Sequence, residues 1–187
     1  QPVDAEGVDS AAAALHSGKS TVILMNGILT EARLILANKI AQKTGARIIS
    51  DTFISRMRRG AGIPEILRLP YFGEQAADVL QGVEHLILVS SQPPITFFAY
   101  PDKPNWLTPD NCQIHTLVDR DGDVDGALEA LCDAVGASAL APIVVQPMRP
   151  DAPQGELNPI SVGQSLAHYF PENAIVVDEG GTCGAGS

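Results

Sequence analysis

The chain has 187 residues, 45% of them hydrophobic, a formal charge of -10 and a pI near 4.6. That composition supports a sizeable core and excludes a disordered chain. The acidic balance excludes nucleic acid as a partner, because phosphate binding needs clustered Lys and Arg. No apolar run approaches the roughly 20 residues that span a bilayer, so no membrane partner is expected.

Cys112, Cys132 and Cys183 are far apart and form no C-x-x-C, which suits buried or incidental thiols in a reducing compartment. His16, His85, His115 and His168 show no metal-ligand spacing. The opening Q-P-V-D-A-E-G lacks the basic and apolar regions of a signal peptide. A cytoplasmic α/β protein is the expectation.

In chain order, Val8 to His16 is an Ala-rich helix closed by Ser17-Gly18, and Thr21 to Met25 is a short apolar strand ending at Asn26-Gly27. Thr30 offers an N-cap for a helix over Glu31 to Lys43, with Leu34, Ile35, Ile40 and Ala41 at helical spacing. Gly45 closes it, and Arg47 to Ser50 is the next strand. After a loop around Arg56 to Pro70 come a helix over Glu74 to Leu80 and a buried strand over His85 to Ser90. A strand over Ile114 to Val118 and a helix over Val124 to Val135 follow. Short continuous apolar strands separated by helices signal a parallel sheet covered on both faces. The predicted fold is α/β: a Rossmann-like, doubly wound parallel sheet with helices on both faces, in a domain spanning residues 1–136.

Residues 137–157 hold Pro142, Pro147, Pro150 and Pro153 with little periodicity, and read as an extended linker. From Asn158 the sequence runs N-P-I-S-V-G-Q-S-L-A-H-Y-F-P-E-N-A-I-V-V-D-E-G-G-T-C-G. Asn158 caps a helix with Pro159 in its first turn. A turn, a buried strand and a glycine-rich loop aimed at a ligand then follow. Such a loop normally hands over to a helix N-terminus facing an anion, so residues 158–187 read as the start of a further domain in a longer protein.

Several segments imitate known sites. Gly18-Lys19-Ser20-Thr21 ends like a Walker loop, but the first glycine of the motif is replaced by Ala13 and the segment precedes a strand, so it reads as a helix cap. Asp121, Asp123, Asp125, Gly126 and Glu129 imitate an EF-hand, but Cys132 stands at the closing position; an acidic loop favouring a helix N-terminus is the expectation. The turn Met25-Asn26-Gly27-Ile28-Leu29-Thr30 holds one glycine where a dinucleotide fold carries three, against a cofactor bound in that manner. Ser55 to Gly62 (S-R-M-R-R-G-A-G) is either an anion site or a solvated loop. Gln92 to Trp106 mixes prolines with Phe97, Phe98, Tyr100 and Trp106, and is expected to cover a sheet edge or subunit interface rather than to form a catalytic wall.

The ordered segments V-I-L-M-N-G, R-I-I-S-D-T, M-R-R-G-A-G and L-I-L-V-S-S-Q-P-P-I-T-F-F-A-Y-P resemble the central domain of thiamine-diphosphate-dependent enzymes. The group they resemble most is the acetolactate synthase large subunit and benzoylformate decarboxylase class. The segment from Asn158 to Thr182 resembles the opening of the diphosphate-binding domain of these enzymes. The resemblance covers nearly the whole chain and implies a fragment of a carboligase or decarboxylase of 2-keto acids, using thiamine diphosphate and Mg²⁺ in a homodimer or homotetramer. In that family a Glu of a preceding domain activates the aminopyrimidine, and a G-D-G…N motif of the third domain holds Mg²⁺ and diphosphate. The thiazolium carbon attacks the 2-keto acid, and the cofactor is the electron sink after decarboxylation. Neither signature occurs in this chain, which is therefore expected to be inactive by itself, with no catalytic or metal-binding residue of its own. What carries over is the loop Glu179-Gly180-Gly181-Thr182, in which the resemblance implies that Gly181 and Thr182 contact the diphosphate. Family members hold FAD, ADP or no nucleotide in the central domain, and the single glycine at residues 25–30 leans toward the last group. The rival readings are a non-catalytic FAD- or ADP-binding module and a structural oligomerisation domain.

Overall fold

The computed structural model describes residues 2–99, 101–103 and 105–177. The chain divides into two compact units, Gln1–Val145 and Gln146–Ser187. In the first unit α1 (Ala5–His16) is capped by Asp4, whose carboxylate accepts the Glu6 N–H. It leads to β1 (Thr21–Met25), β2 (Ile28–Leu29) and α2 (Glu31–Thr44). Thr30 caps α2 as expected, and Gly45 ends it at φ 78°, a left-handed conformation that glycine adopts without a steric penalty.

There follow β3 (Arg47–Ser50), β4 (Arg56–Met57), β5 (Leu67–Arg68), α3 (Gly73–Leu80), β6 (His85–Val89), β7 (Gln113–Val118) and α4 (Val124–Ala134). A five-stranded sheet runs in the order β5-β3-β1-β6-β7, with every pairing parallel. A second, two-stranded ladder joins β2 and β4. The predicted Rossmann-like α/β sheet is borne out.

Strand alternation distributes the helices. Ile23, Met25, Ile87 and Val89 face a core built with α1, α2 and α4, including Val8, Leu34, Ile40, Leu128 and Leu131. Their neighbours Val22, Leu24, Leu86 and Leu88 point to the opposite side and pack with Ala76 and Leu80 of α3, together with Leu69 and Leu107. Both central strands are therefore buried along their whole length, as continuous apolar runs require. On the first face α1 lies close against β7: a Cβ at Gly7 would stand 2.9 Å from the Thr116 carbonyl oxygen.

The first unit extends past the last helix. Ala137 is buried, and Gly62 and Val145 join by backbone hydrogen bonds, Gly62 N–H to Val145 O at 2.9 Å and Val145 N–H to Ile63 O at 3.0 Å. The Ile143 N–H also donates to Asn38 Oδ1 at 2.8 Å.

In the second unit α5 (Pro159–Tyr169) begins with the expected Asn158 cap and Pro159. Asn158 Oδ1 accepts the Ser161 N–H at 2.9 Å and Ser161 Oγ accepts the Asn158 N–H at 2.8 Å, a reciprocal capping box. The buried strand expected after this helix is not formed by the described residues. Residues 174–177 carry no strand, and Ile175, Val176 and Val177 are exposed. Strand geometry needs a hydrogen-bonded neighbour, and none of the described strands pairs with this segment.

Candidate functional site

The strand order reverses direction at β1, since β3 lies on one side of it and β6 on the other. In open parallel sheets ligands bind outside the C-terminal ends of the strands at such a point. Polar residues from three strand ends meet there. Asp51, just past β3, accepts the Asn26 carboxamide N–H at 2.8 Å and the Ser91 hydroxyl at 3.2 Å on one oxygen. The other oxygen accepts the Thr52 N–H at 2.7 Å. Asn26 follows β1, and Ser91 lies just past β6. The Asn26 side-chain oxygen also accepts the Gly27 N–H at 2.6 Å.

Backbone geometry fixes this junction. Gly27 sits at φ 83°, which its missing Cβ permits, and Ser90 holds an unusual φ of 53°. The Ser90 N–H donates to Val118 O at 2.9 Å, beside the irregularity where the β6–β7 register shifts at Leu88/Val89. A bulge of this kind re-aims the chain next to a site. Beyond it opens a cavity of about 280 Å³, whose lining includes Asp51, Thr52, Tyr71, Gln92, Phe97 and Arg120.

The Pro-aromatic segment forms part of this edge. Ile95 and Trp106 make an isolated antiparallel bridge. Phe97 stacks on Tyr71 with centroids 5.3 Å apart and meets Phe53 edge-on at 4.8 Å. Phe53, Phe72, Phe97, Phe98 and Trp106 remain largely exposed. The segment thus packs with the loops past the strand ends and lines the cavity.

The imitation motifs have structural explanations. Gly18, at φ 74°, turns the chain from α1 into β1. Asp123 caps α4 by accepting the Gly126 N–H, and Asp125 takes a paired hydrogen bond from the Arg33 guanidinium, Nε and Nη2 both at 2.7 Å. That bond holds the Asp125 carboxyl below its ordinary range. Arg56, Arg58 and Arg59 are exposed, Arg56 within the short ladder. Glu179, Gly180, Gly181 and Thr182 lie outside the described residues. Among the described residues, no group of three or more His, Cys, Asp or Glu side chains is placed to hold a metal ion. Of the thiols, Cys132 is buried and Cys112 half-buried, with burial raising the Cys112 pKa; Cys183 lies outside the described residues.

Sequence reasoning did not single out the Asn26, Asp51 and Ser91 cluster. Its signal was present, since each residue follows an apolar strand run by one or two positions. A second unpredicted cluster lies at the start of β6 and β7. His85 Nδ1 and His115 Nε2 are 3.0 Å apart, and His115 Nδ1 lies 2.8 Å from Ser10 Oγ on α1. Burial and the neighbouring His85 lower the His115 pKa.

No protein-family model matches the chain. It is 44% identical over 184 residues to a Mycobacterium tuberculosis protein named "Putative acetolactate synthase large subunit IlvX". The match takes in 98% of this chain and 35% of that protein, so the chain spans about a third of the length of the relative it matches. The resemblance to the thiamine-diphosphate-dependent enzymes of the acetolactate synthase type is thereby borne out, and the chain is related over nearly its whole length to one segment of such a large subunit.

Proposed function

We propose that this chain is the central domain, with the opening of the diphosphate-binding domain, of a thiamine-diphosphate- and Mg²⁺-dependent enzyme acting on 2-keto acids. The reaction is a carboligation or a decarboxylation, in a cytoplasmic homodimer or homotetramer. Residues 1–136 are the central domain, 137–157 the linker and 158–187 the start of the next domain. The observation that carries this reading is identity of 44% across 98% of the chain but only 35% of the relative.

Thiamine diphosphate supplies the nucleophile and electron sink for carbon–carbon bond cleavage or formation. The described residues contribute a scaffold: the parallel sheet fixes the strand ends, and the Asn158 cap sets the start of α5. Glu179 to Thr182 would reach the diphosphate, with Thr182 donating a hydroxyl hydrogen bond and Gly181 its backbone N–H. Alone, the chain does not turn over pyruvate.

A graft tests the reading. The corresponding segment of an acetolactate synthase of established activity is replaced by this chain, and acetolactate formation from pyruvate is measured with thiamine diphosphate and Mg²⁺. Activity is expected in the graft and absent in the isolated chain. A folded, thiamine-diphosphate-binding graft with no turnover would refute the assignment, and turnover by the isolated chain would refute the fragment reading.

The exposed aromatic cluster favours a second role, as an oligomerisation face, since contiguous apolar surface marks interaction sites. Changing Phe97 or Trp106 to Ser should then lower the mass measured by light scattering. An unchanged mass would dismiss this role.

A further inference from the structure

We infer that an internal polar staple occupies the switch point between β1, β3 and β6, and that the crevice there does not accept the FAD or ADP that the fold family can carry. The inference depends only on the geometry of the strand ends and stands whether or not the 2-keto acid reading holds.

A nucleotide pyrophosphate at this position needs three things: a close-approaching backbone after the first strand, free N–H groups at the following helix, and no competing negative charge. The chain lacks the first, supplies the second only in part, and sets Glu31 against the third. Between β1 and α2, Ile28 and Leu29 are committed as β2, paired with β4, and Leu29 is fully buried. Ser55 N–H and Arg58 N–H donate to Gly27 O and Leu29 O at 3.1 and 3.0 Å, which ties this segment to the following loop.

Four of the N–H groups around this turn are already paired. Gly27 N–H goes to the Asn26 side chain, Asn26 N–H to Val89 O, and Arg33 N–H to the Thr30 hydroxyl. Leu34 N–H completes the first turn on Thr30 O. Those four are therefore not free to cradle phosphate oxygens.

Charge points the same way. Asp51 lies at the β3 end, 2.8 Å from the Asn26 side chain that follows β1, and Glu31 occupies the first turn of α2. Glu31 is negative where a pyrophosphate would be negative, and Asp51, at the strand end where such folds place a ribose-binding acid, already has both oxygens engaged by protein donors. Arg33 is positioned in the same turn but is turned away, held by Asp125 and by Ile28 O at 2.8 Å. In place of a ligand, the Asp51 carboxylate gathers three neutral donors and joins the ends of β1, β3 and β6.

The test combines calorimetric titration with thermal unfolding of the whole chain, using FAD and ADP as probes. A ligand held at about 100 times its Kd would raise Tm by roughly 5–10 °C in a chain this size. The expectation is no saturable heat and a Tm unchanged to about 1 °C with either probe at millimolar concentration. Asp51→Asn and the milder Ser91→Ala should each lower Tm without creating binding. Saturable binding of either nucleotide by the native chain would overturn the inference, as would a Tm unaffected by both substitutions.

Discussion

The close approach of α1 to the sheet at Gly7 predicts the outcome of Gly7→Ala. In a helix this change ordinarily helps, since Ala is favoured over Gly by about 1 kcal/mol in a helix interior and by less in a first turn. Here the new Cβ would lie 2.9 Å from the Thr116 carbonyl oxygen and 3.3 Å from that of Leu117. It would also stand 3.2 Å from Oδ2 of Asp4, the residue that caps the helix. Two of these neighbours are strand backbone and cannot rotate away, so α1 must move. Moving it disturbs Val8, Ala11 and Leu15 in the core, and overpacking of this kind costs about 1–3 kcal/mol. The steric effect outweighs propensity, leaving a net loss of about 1–2 kcal/mol and a Tm lower by roughly 3–6 °C. Circular dichroism at the helix band reads the transition. Asp9→Ala on the exposed side of the same helix serves as control and should stay within about 0.5 kcal/mol. A Gly7→Ala protein melting at or above the native temperature would show that the backbone contact does not set the helix position.

Three further outcomes follow from the packing and charges. Because the folded His115 pKa lies below its ordinary 6.5, the unfolded chain takes up the proton first. Stability from this group is therefore complete above about pH 6.5 and falls as pH drops toward the lowered folded value. Urea midpoints at pH 7.5 and 5.5 should show that fall, and His115→Gln should flatten it; an unchanged slope would count against the histidine pair as its source. Leu128→Ala, at a fully buried site, should cost about 2–5 kcal/mol by denaturant unfolding, and a loss under 1 kcal/mol would mean the α4 core is loosely packed. The Arg33–Asp125 pair has one partly exposed partner, so a double-mutant cycle should return only about 0.5–1 kcal/mol, present at neutral pH and lost as the solution is acidified below the ordinary Asp value of 3.8. A coupling energy near zero would leave the two helices joined by apolar packing alone.

The sequence determined the sheet and its helices because the signals are local. T-V-I-L-M and H-L-I-L-V each hold four consecutive apolar residues, the mark of a strand covered on both faces, and both are interior to the sheet. Thr30, Gly45 and Asn158 marked helix ends because caps satisfy backbone groups from side chains a few residues away. Order and composition also carried the family resemblance. Only the tertiary structure decided the rest. β2, β4 and β5 have two residues each, too short for any periodicity, and exist because neighbouring strands pair with them. Residues 174–177 have the composition of a strand but not its structure, since hydrophobicity proposes a strand and a hydrogen-bonded neighbour makes one. The Asn26, Asp51 and Ser91 cluster draws on residues up to 65 positions apart but fills one crevice, because strand order, not proximity in the chain, brings the ends of β1, β3 and β6 together.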